Sequence, residues 1–417
     1  MTVSFPIALP VLLLAGVAAS ASAQSAAPRD LLKQPSVAAA LARIKDTEAD
    51  TVADQIRFCE IPAPSFKEEA RGRELQRVFQ QIGLVNVRVD KVGNVLGDYP
   101  GASPKPHLVL AAHLDTVFPE GTDVRVKRDG AILRGPGIGD DCRGLAVVVA
   151  IVRAMKSANV QTKGTITFVA NVGEEGLGDL RGVKELFNAT LKDQIDEFVS
   201  IDGTGVRVTN VAVGSHRYRV TFKGPGGHSF GAFGRANPIG AMGRAIDKIQ
   251  QLQVPKFPKT TFNVGRVGGG TSVNSIPFEG WMELDMRSSD PASLASIDAA
   301  IQKAIDAAVA EENQRWGTPN MITVVKELVG DRPAGSTRED APIVKLGLDT
   351  ATALGVSAQL GEGSTDSNTP MSLHVPAITI GGGGVGRDSH ALTESFDTTD
   401  AWKGAQYALL LTIGLAQ

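Results

Sequence analysis

Four apolar, β-prone segments of this chain end in clusters of acidic or histidine side chains, and no other sequence feature constrains the fold as strongly. In chain order, residues 107–112 lead to His113 and Asp115, residues 165–172 to Glu174 and Glu175, residues 198–201 to Asp202, and residues 377–380 through four glycines to Asp388 and His390. Ligands of an open α/β sheet bind beyond the carboxyl ends of its strands. We therefore expect the four clusters to meet at one edge of a sheet and to form a metal centre.

The alternation of strand-like and helix-like segments changes twice along the 417 residues, a length that suggests two domains. Between about residues 107 and 205 the two kinds of segment alternate, which predicts an α/β fold with a mainly parallel mixed sheet covered on both faces. From about residue 211 the order becomes strand-helix-strand-strand-helix-strand, typical of a small α+β sandwich. The sequence thus predicts a first domain in two parts, 24–210 and 331–417, with an inserted unit at 211–330.

The first residues predict a signal peptide. Residues 7–19 form an apolar core that is followed by Ala21-Ser22-Ala23, a pattern that fits cleavage before Gln24. An uncleaved anchor is the alternative, but about 13 apolar residues fall short of the roughly 20 that a spanning helix needs. We therefore expect residues 1–23 to be removed and the protein to be exported, periplasmic or secreted, without stable membrane insertion.

Net charge and cysteine content bear on the possible partners of the protein and on a possible disulfide. A net charge of −3 and a pI near 6.1 provide no basic surface for nucleic acid, which is not expected as a partner. The two cysteines, Cys59 and Cys142, leave two interpretations open. An exported protein could pair them, and two unpaired buried thiols fit equally well.

A capping box is predicted at the start of the helix that should run to Gly83. Ser65 stands three residues before Glu68. In such a pair the hydroxyl and the carboxylate satisfy free amides of the first helical turn. We therefore expect Ser65 to cap this helix.

Glu174 and Glu175 are adjacent acids at the end of a predicted strand. Without nearby positive charge they would repel each other, and a metal ion removes this conflict. One carboxylate can then bind the metal while the other takes a proton from the water that the metal activates. A solvated acidic turn is the alternative interpretation.

Asp140 and Asp141 follow a glycine-rich loop and precede an apolar helix that begins near Gly144. A helix cap needs only one carboxylate, so Asp140 is free to bridge two metal ions. Two metals that share a carboxylate need about five protein ligands. The candidates are His113, Asp140, Glu175, Asp202 and His390. Nitrogen and oxygen ligands without thiolate favour two zinc ions, with manganese or cobalt as alternatives.

His113 and Asp115 stand two positions apart at the end of a strand, where their side chains should face the same way. A carboxylate there can accept the second ring proton of a metal-bound histidine and fix its tautomer. A purely structural pair is the alternative interpretation.

Five motifs together resemble those of the co-catalytic two-zinc metallopeptidase family that includes glutamate carboxypeptidase, peptidase T, succinyl-diaminopimelate desuccinylase and aminoacylase. They lie at residues 113–117, 135–141, 174–176, 224–229 and 386–390. The resemblance implies a zinc-exopeptidase catalytic domain with an inserted lid and dimerisation domain. It also implies the ligand pairs: His113 and Asp202 on one zinc, Glu175 and His390 on the other, and Asp140 between them.

The same resemblance implies further roles. The Asp140–Asp141 peptide would be cis, Asp115 would orient His113, and Glu174 would be the general base and later the proton donor. In the inserted unit, His228 would reach the site of the partner subunit of a homodimer and stabilise the oxyanion. Asn274 and Arg287 would bind a substrate carboxylate or carbonyl. The glycines 381–384 would let the substrate backbone pass close by.

Zinc-dependent hydrolysis of amide bonds in short peptides by an exopeptidase, aminopeptidase-like or carboxypeptidase, is the function that these features favour. An N-acyl amino acid deacylase with the same two metals is the alternative. A non-catalytic zinc-binding protein on this scaffold is a third hypothesis, and the presence of Glu174 beside a full ligand set argues against it.

Overall fold

The computed structural model describes residues 27–317 and 321–417. Its helices are α1 (Pro28–Leu31), α2 (Pro35–Asp46), α3 (Glu48–Cys59), α4 (Glu69–Gln81), α5 (Cys142–Ser157), α6 (Arg181–Glu185), α7 (Pro238–Gln250), α8 (Pro291–Arg315), α9 (Pro342–Ala353), α10 (Asn368–Ser372) and α11 (Trp402–Leu415). A 3₁₀ turn spans Gly176–Gly178, and a π-helical turn spans Leu186–Thr190.

The strands of the described residues are β1 (Val85–Val89), β2 (Val95–Tyr99), β3 (His107–His113), β4 (Lys127–Asp129), β5 (Ile132–Arg134), β6 (Thr165–Asn171), β7 (Glu197–Ile201), β8 (Val208–Ala212), β9 (Gly214–Lys223), β10 (Gly227–His228), β11 (Thr260–Gly269), β12 (Ser275–Ile276), β13 (Glu279–Ser288), β14 (Thr323–Arg332), β15 (Gly335–Ser336), β16 (Leu360–Gly363), β17 (Ala377–Ile380), β18 (Val385–Arg387) and β19 (Ser395–Asp397). The predicted signal peptide, residues 1–23, lies outside the described residues, so export stays a prediction. In the part of the chain that the structure describes, no helix is both long and apolar enough to cross a membrane.

Nine strands form one mixed sheet in the order β1-β2-β6-β3-β7-β17-β8-β15, with β16 also paired to β8. Its central strands β6, β3, β7 and β17 are parallel. The outer pairs β1–β2, β2–β6, β17–β8 and β15–β8 are antiparallel. The predicted mixed sheet is confirmed, with its parallel part at the centre.

Alternate residues of β3 explain why both faces of this sheet are covered. Leu108 and Leu110 pack into one core with residues of α2, α5 and α11. Val109 and Ala111 pack into a second core with apolar residues of the segment 180–191. Every residue of β3 is buried. Ligand side chains therefore have no free face on this strand and must lie at or beyond its end.

The inserted unit is an antiparallel sheet, β11-β13-β9-β14, with α7 and α8 packed on one face. Along β13, Met282 and Leu284 are buried against the helices, and the more exposed Glu283 and Asp285 alternate with them on the open face. A sheet that is covered on one side shows this period of two. The predicted strand-helix-strand-strand-helix-strand order is confirmed. We call this unit the lid and the remainder the catalytic unit.

A further small sheet, β18-β19-β5-β4, is absent from the sequence prediction. Each of its strands has three residues, too few to show the alternation that indicates a strand. Its β5 leads to the loop of Asp140, and its β18 leads to His390. The small sheet therefore holds two distant chain segments side by side at the edge of the large sheet.

Two local predictions have different outcomes. Cys59 and Cys142 are both buried free thiols, which is one of the two interpretations left open by the sequence. The predicted capping box is wrong: α4 begins at Glu69, and no side chain caps its first turn. The Ser65 hydroxyl donates instead to the Asp115 carboxylate, 2.7 Å away, because the tertiary partner outcompetes the local amides.

Candidate metal centre

The carboxyl ends of the parallel strands bring the predicted clusters together. His113 is the last residue of β3, Glu174 and Glu175 follow β6, and Asp202 follows β7 directly. Since β3 pairs in parallel with both β6 and β7, the three ends meet at one edge of the sheet. His390 reaches the same edge through the loop that follows β18.

Three groups of possible metal-ligand atoms lie at this edge, and the atoms of each group lie within 4.8 Å of one another. They consist of His113, Asp140 and Asp202; of Asp140, Glu175 and His390; and of His113, Glu174 and Glu175. Asp140 belongs to the first two groups, which together contain the five predicted ligands. Its Oδ1 lies 3.1 Å from His113 Nε2, and its Oδ2 lies 3.3 Å from His390 Nε2. The structure thus brings all five predicted ligands together, with Asp140 between the two histidines.

The adjacent residues Asp140 and Asp141 have different roles. The peptide bond that joins Asp140 to Asp141 is cis, as the resemblance implied. Asp141 is the N-cap of α5: its carboxylate accepts from the Gly144 amide at 3.1 Å and from the His113 amide at 3.2 Å. Because Asp141 provides the cap, the Asp140 carboxylate is left to face the two histidines.

Asp115 contacts the His113 ring, but its backbone lies closer to the ring than the carboxylate that the sequence predicted. His113 Nδ1 lies 3.0 Å from the backbone carbonyl oxygen of Asp115 and 3.6 Å from the nearer carboxylate oxygen. The strand ends at His113, so the rule that positions two apart share a face no longer applies at Asp115. A proton on Nδ1 that is donated to the carbonyl leaves the Nε2 lone pair for a metal.

The Asp115 carboxylate instead fixes the two glutamates. It accepts from the backbone amides of Glu174 and Glu175, each at 2.9 Å, and from the Ser65 hydroxyl. Ser65 also donates to the Glu175 carbonyl oxygen at 3.2 Å. Asp115 is therefore a positioning residue for the Glu174–Glu175 turn.

Glu174 is buried and has a cationic partner that the sequence did not indicate. Arg332, at the end of β14, donates from Nη1 to Glu174 Oε1 at 3.0 Å and from Nη2 to the Glu174 backbone carbonyl. Burial raises the pKa of Glu174 well above its usual range, and the Arg332 guanidinium opposes this shift. A buried carboxylate whose pKa is raised in this way is suited to accept and return a proton.

Glu394 is a second residue that sequence reasoning missed. Its carboxylate accepts from the backbone amides of Gly137 at 2.9 Å, Gly139 at 2.8 Å and Asp140 at 3.2 Å. Burial raises the pKa of Glu394 to about 7, although these amides favour its charged form. The buried carboxylate therefore fixes the loop that carries Asp140.

The electrostatics of the ligand set fit divalent cations. Burial and the neighbouring Asp140 raise the pKa of Asp202 to about 6. Contacts with Asp140 and Glu175 raise the pKa of the His390 imidazole to about 10. Such shifts arise because acids crowd together, and a cation relieves the same crowding. Three carboxylates and two imidazoles supply the donor types that zinc and manganese accept.

Lid residues reach the centre from the open face of their sheet. A cavity of about 420 Å³ lies between the two units, lined by Glu174, Glu175, Arg217, Arg287 and Arg332, together with Asp140, Asp202 and His390. Arg287 donates from Nε to Asp285 at 2.9 Å, and Arg217 donates from Nε to the other oxygen of the same carboxylate at 2.9 Å. Arg217 also donates to the Gly176 carbonyl oxygen at 2.6 Å. Asp285 therefore aligns both guanidinium groups at the cavity.

His228 and Asn274 lie outside this cavity and next to each other. His228, on β10, pairs with Ser275 on β12, and the amide of Ser229 donates to the Asn274 carbonyl oxygen at 2.9 Å. His228 Nδ1 accepts from the amides of Phe230 and Gly231, both at 3.2 Å. A neutral ring therefore carries its proton on Nε2, which makes it a donor.

The glycines that follow β17 have a different role from the one expected. A Cβ on Gly381 would lie 2.4 Å from the Thr204 carbonyl oxygen, and one on Gly383 would lie 2.3 Å from the Ala401 carbonyl oxygen. Both glycines are buried against backbone. The expectation of a passage for the substrate backbone is wrong because other chain segments fill that space.

The mixed sheet, the ligand groups at its carboxyl edge and the lid define the class of dinuclear metallohydrolases. Residues 109–412 match peptidase family M20/M25/M40, and the chain belongs to this family. The resemblance to the two-metal peptidases and the prediction of a metallopeptidase-type hydrolase are thereby confirmed.

Individual relatives differ in their activities. Carboxypeptidase G2 of Pseudomonas sp. is 28% identical over 52% of this chain and 54% of its own length. N-acetylcysteine deacetylase of Bacillus subtilis is 25% identical over 55% of this chain and 62% of its own length, so the matches span between half and two thirds of these relatives. A tripeptidase structure from Staphylococcus aureus superimposes with a TM-score of 0.72 at 22% identity, covering 88% of this chain and 98% of that one.

Proposed function

We propose that this protein hydrolyses amide bonds at the ends of short peptides as a two-metal exopeptidase. The observation that carries the proposal is the convergence of five candidate ligand side chains, with Asp140 in two of the three ligand groups and Glu174 in the same cavity. A cavity of about 420 Å³ between the catalytic unit and the lid favours small substrates. Zinc is the proposed metal, with manganese or cobalt as alternatives.

The proposed chemistry assigns one task to each group. When bound, the two cations would supply Lewis acidity, which polarises a carbonyl and lowers the pKa of water. Glu174 takes a proton from the attacking water and returns it to the leaving amine, so that one amide and one water give a carboxylate and an amine. Arg332 holds Glu174 by its side chain and its backbone. Arg287 binds a substrate carboxylate through its terminal nitrogens, since its Nε is engaged by Asp285.

A homodimer through the lid is part of the proposal. His228 is exposed with a donor at Nε2, yet it lies outside the cavity of its own chain. Phe230 and Phe233 beside it are 89% and 81% exposed, and apolar groups of this size on a surface favour a protein partner. A second lid would cover them and carry His228 to the other centre. A monomer in sedimentation equilibrium would contradict this arrangement.

Deacylation of N-acyl amino acids is the second candidate. It is favoured by the relative that is named N-acetylcysteine deacetylase. The metal ligands and Glu174 would act in the same way, since both substrates contain an amide and a free carboxylate. The two candidates differ only in whether the group on the amide carbonyl is an amino acid or an acyl chain.

A side-by-side assay tests both candidates. Purified protein loaded with zinc is given di- and tripeptides with free termini and the matching N-acetyl amino acids, with and without a chelator. Metal-dependent release of amino acids from the peptides is the expected result. Faster release from the acetylated substrates would favour the deacylase. Hydrolysis that survives complete metal removal would contradict both.

A further inference from the structure

A layer of buried polar side chains lies on one face of the large sheet, beside the metal centre. Asn171, the last residue of β6, pairs in register with His113, and its side chain faces the segment 365–368. All four residues of that segment are buried. Residues 363–365 line the cavity between the two units. The segment therefore connects the wall of this cavity to the strand that leads to Glu174.

Asp366 has an incomplete set of hydrogen bonds. Its carboxyl group is 0% exposed, and Oδ2 accepts from Asn171 Nδ2 at 2.7 Å. Within residues 27–317 and 321–417, Asp366 Oδ1 and Asn171 Oδ1 have no hydrogen-bond partner. A buried oxygen without a donor is unfavourable, and these two oxygens belong to groups that already contact each other. One proton between them would serve both.

The surroundings of Asp366 favour an uncharged carboxyl group. Burial raises the pKa of Asp366 to about 7, although the charge of His113 and the hydrogen bond from Asn171 oppose this shift. The carboxylates of Asp115 and Asp202 lie near enough to disfavour a further negative charge. In the described part of the chain, no cationic side chain donates to Asp366.

Hydroxyl groups hold the backbone on both sides of Asp366. The hydroxyl oxygens of Thr365 and Ser367 each lie 2.7 Å from Thr379 Oγ1. Because Thr379 lies on β17, the segment is tied to two strands of the same sheet, β17 and β6. Asp366 is thus held in place against Asn171.

Two routes connect this segment to Glu174. On one side, Asn171 lies three residues before Glu174, and its carbonyl oxygen accepts from the Leu114 amide at 2.7 Å. On the other side, Arg332 Nη1 donates both to Ser364 Oγ at 3.2 Å and to Glu174 Oε1 at 3.0 Å. A displacement of the segment would therefore reach Glu174 through its backbone and through its cationic partner.

We propose that Asp366 is an uncharged carboxylic acid that exchanges two hydrogen bonds with the Asn171 amide, and that this pair positions Glu174. The inference rests on the proposed function, in which Glu174 transfers the proton. Asp366 Oδ1 donates to Asn171 Oδ1 while Asn171 Nδ2 donates to Asp366 Oδ2, so both unpaired oxygens gain a partner. Asp366 is not among the residues that line the cavity, so it is a positioning residue and not a catalytic one.

Two substitutions of Asp366 test the pair in the zinc-loaded full chain, with the peptide or N-acetyl amino acid that wild type hydrolyses fastest. Asp366→Asn keeps one acceptor and one neutral donor toward Asn171, so kcat should stay within about 3-fold of the wild-type value. Asp366→Ala removes both, and kcat should fall by about 10-fold or more with KM near wild type, because Glu174 is displaced. Asp129→Ala, on the exposed strand β4, is the control and should change neither value.

A double-mutant cycle and infrared spectra test the pair itself. Asn171→Ala should lower kcat as Asp366→Ala does, and the double variant should lose no more than about 2-fold beyond either one. Infrared difference spectra of wild type and Asp366→Asn at about pH 6, below the pKa of Asp366, should show a carboxylic acid C=O band in wild type only.

Several outcomes would overturn the inference. They are a carboxylate band in place of the acid band, equal losses of kcat in Asp366→Asn and Asp366→Ala, wild-type kcat in Asp366→Ala, and additive losses in the cycle. If wild type hydrolyses neither peptides nor N-acetyl amino acids, the proposed function is overturned, and the infrared comparison still decides the state of Asp366.

Discussion

The large sheet of the catalytic unit is covered on both faces, whereas the sheet of the lid is covered on only one. The central strands of the large sheet are buried on both faces, so its ligand side chains lie at or just beyond the strand ends. The lid sheet has helices on one face only, and its open face carries charged side chains. Three candidate metal ligands, His113, Glu175 and Asp202, therefore come from the ends of one sheet, and guanidinium groups come from the face of the other.

Because of this difference, we expect side chains at the strand ends to be held more rigidly than side chains on the open face of the lid. Side chains at the ends of buried strands are held by several fixed hydrogen bonds, as Asp115 holds the Glu174–Glu175 turn. Side chains on the open face are held mainly by one another, as Asp285 holds Arg217 and Arg287. We expect changes at the strand ends to affect catalysis and changes on the open face to affect substrate binding.

Replacing Glu174 with Gln should have the largest effect. The amide oxygen can still accept from Arg332, but Gln cannot take a proton from water. We expect kcat to fall by about 10²- to 10⁴-fold while metal content stays near the wild-type value. Steady-state kinetics and elemental analysis of the purified variant measure the two quantities. Wild-type turnover would remove Glu174 from the mechanism and would place catalysis elsewhere in the cavity.

A change on the open face of the lid should act through binding. We expect Arg287→Ala to lower kcat/KM by about 10- to 100-fold, mostly through a higher KM, because one charged contact to the substrate is lost. Arg219→Ala is the matched control, since Arg219 lies on the same face but lines a different cavity and pairs with Glu283. Equal losses in the two variants would show that the face acts through folding and not through Arg287.

The smallest effect concerns the opposite end of the covered sheet. Glu197 begins β7, and burial, with the charge of Asp196, raises the pKa of Glu197 to about 7. A pKa above the unfolded value means that its contribution to stability is present below about pH 4.5 and is lost as pH rises through 7. Glu197 is only half-buried, so we expect Glu197→Gln to be more stable than wild type at pH 8 by about 1–2 kcal/mol.

Urea unfolding at pH 4.5 and pH 8 measures this difference. The two proteins should have nearly equal stability at the lower pH, because wild-type Glu197 is then protonated and resembles the amide. A constant difference at both values would show that desolvation of this carboxylate is not its cause. Such a result would also weaken the contrast between the two ends of β7, one of which leads to the candidate metal ligand Asp202 while the other begins with Glu197.

The sequence predicts the strand ends better than it predicts their supports. The four apolar runs and the acids that follow them are local patterns, so the ligand positions could be read from neighbouring residues. Arg332 is 158 positions from Glu174, and Glu394 is 255 positions from Gly139. A single arginine or glutamate at such a distance leaves no local pattern. The small sheet was missed for a related reason, since strands of three residues show no period.

Local rules also failed where tertiary contacts replaced them. Ser65 satisfies the pattern of a helix cap, but its hydroxyl donates to the Asp115 carboxylate and to the Glu175 carbonyl oxygen. Asp115 follows the expected spacing from His113, but the strand ends first and the carboxylate turns to the amides of the two glutamates. In both cases the long-range partner is buried, and a buried polar group without a hydrogen bond costs more free energy than an exposed local one.

Arg332 stands where the chain leaves the lid and returns to the catalytic unit, and it contacts Glu174 through both side chain and backbone. A lid that swings about this connection must either turn around a stationary Arg332 or withdraw the guanidinium from Glu174. In the second case the open cleft would be chemically idle, because the base would lose the charge that favours its ionised form. Admission of substrate and readiness for proton transfer would then be two outcomes of one rotation.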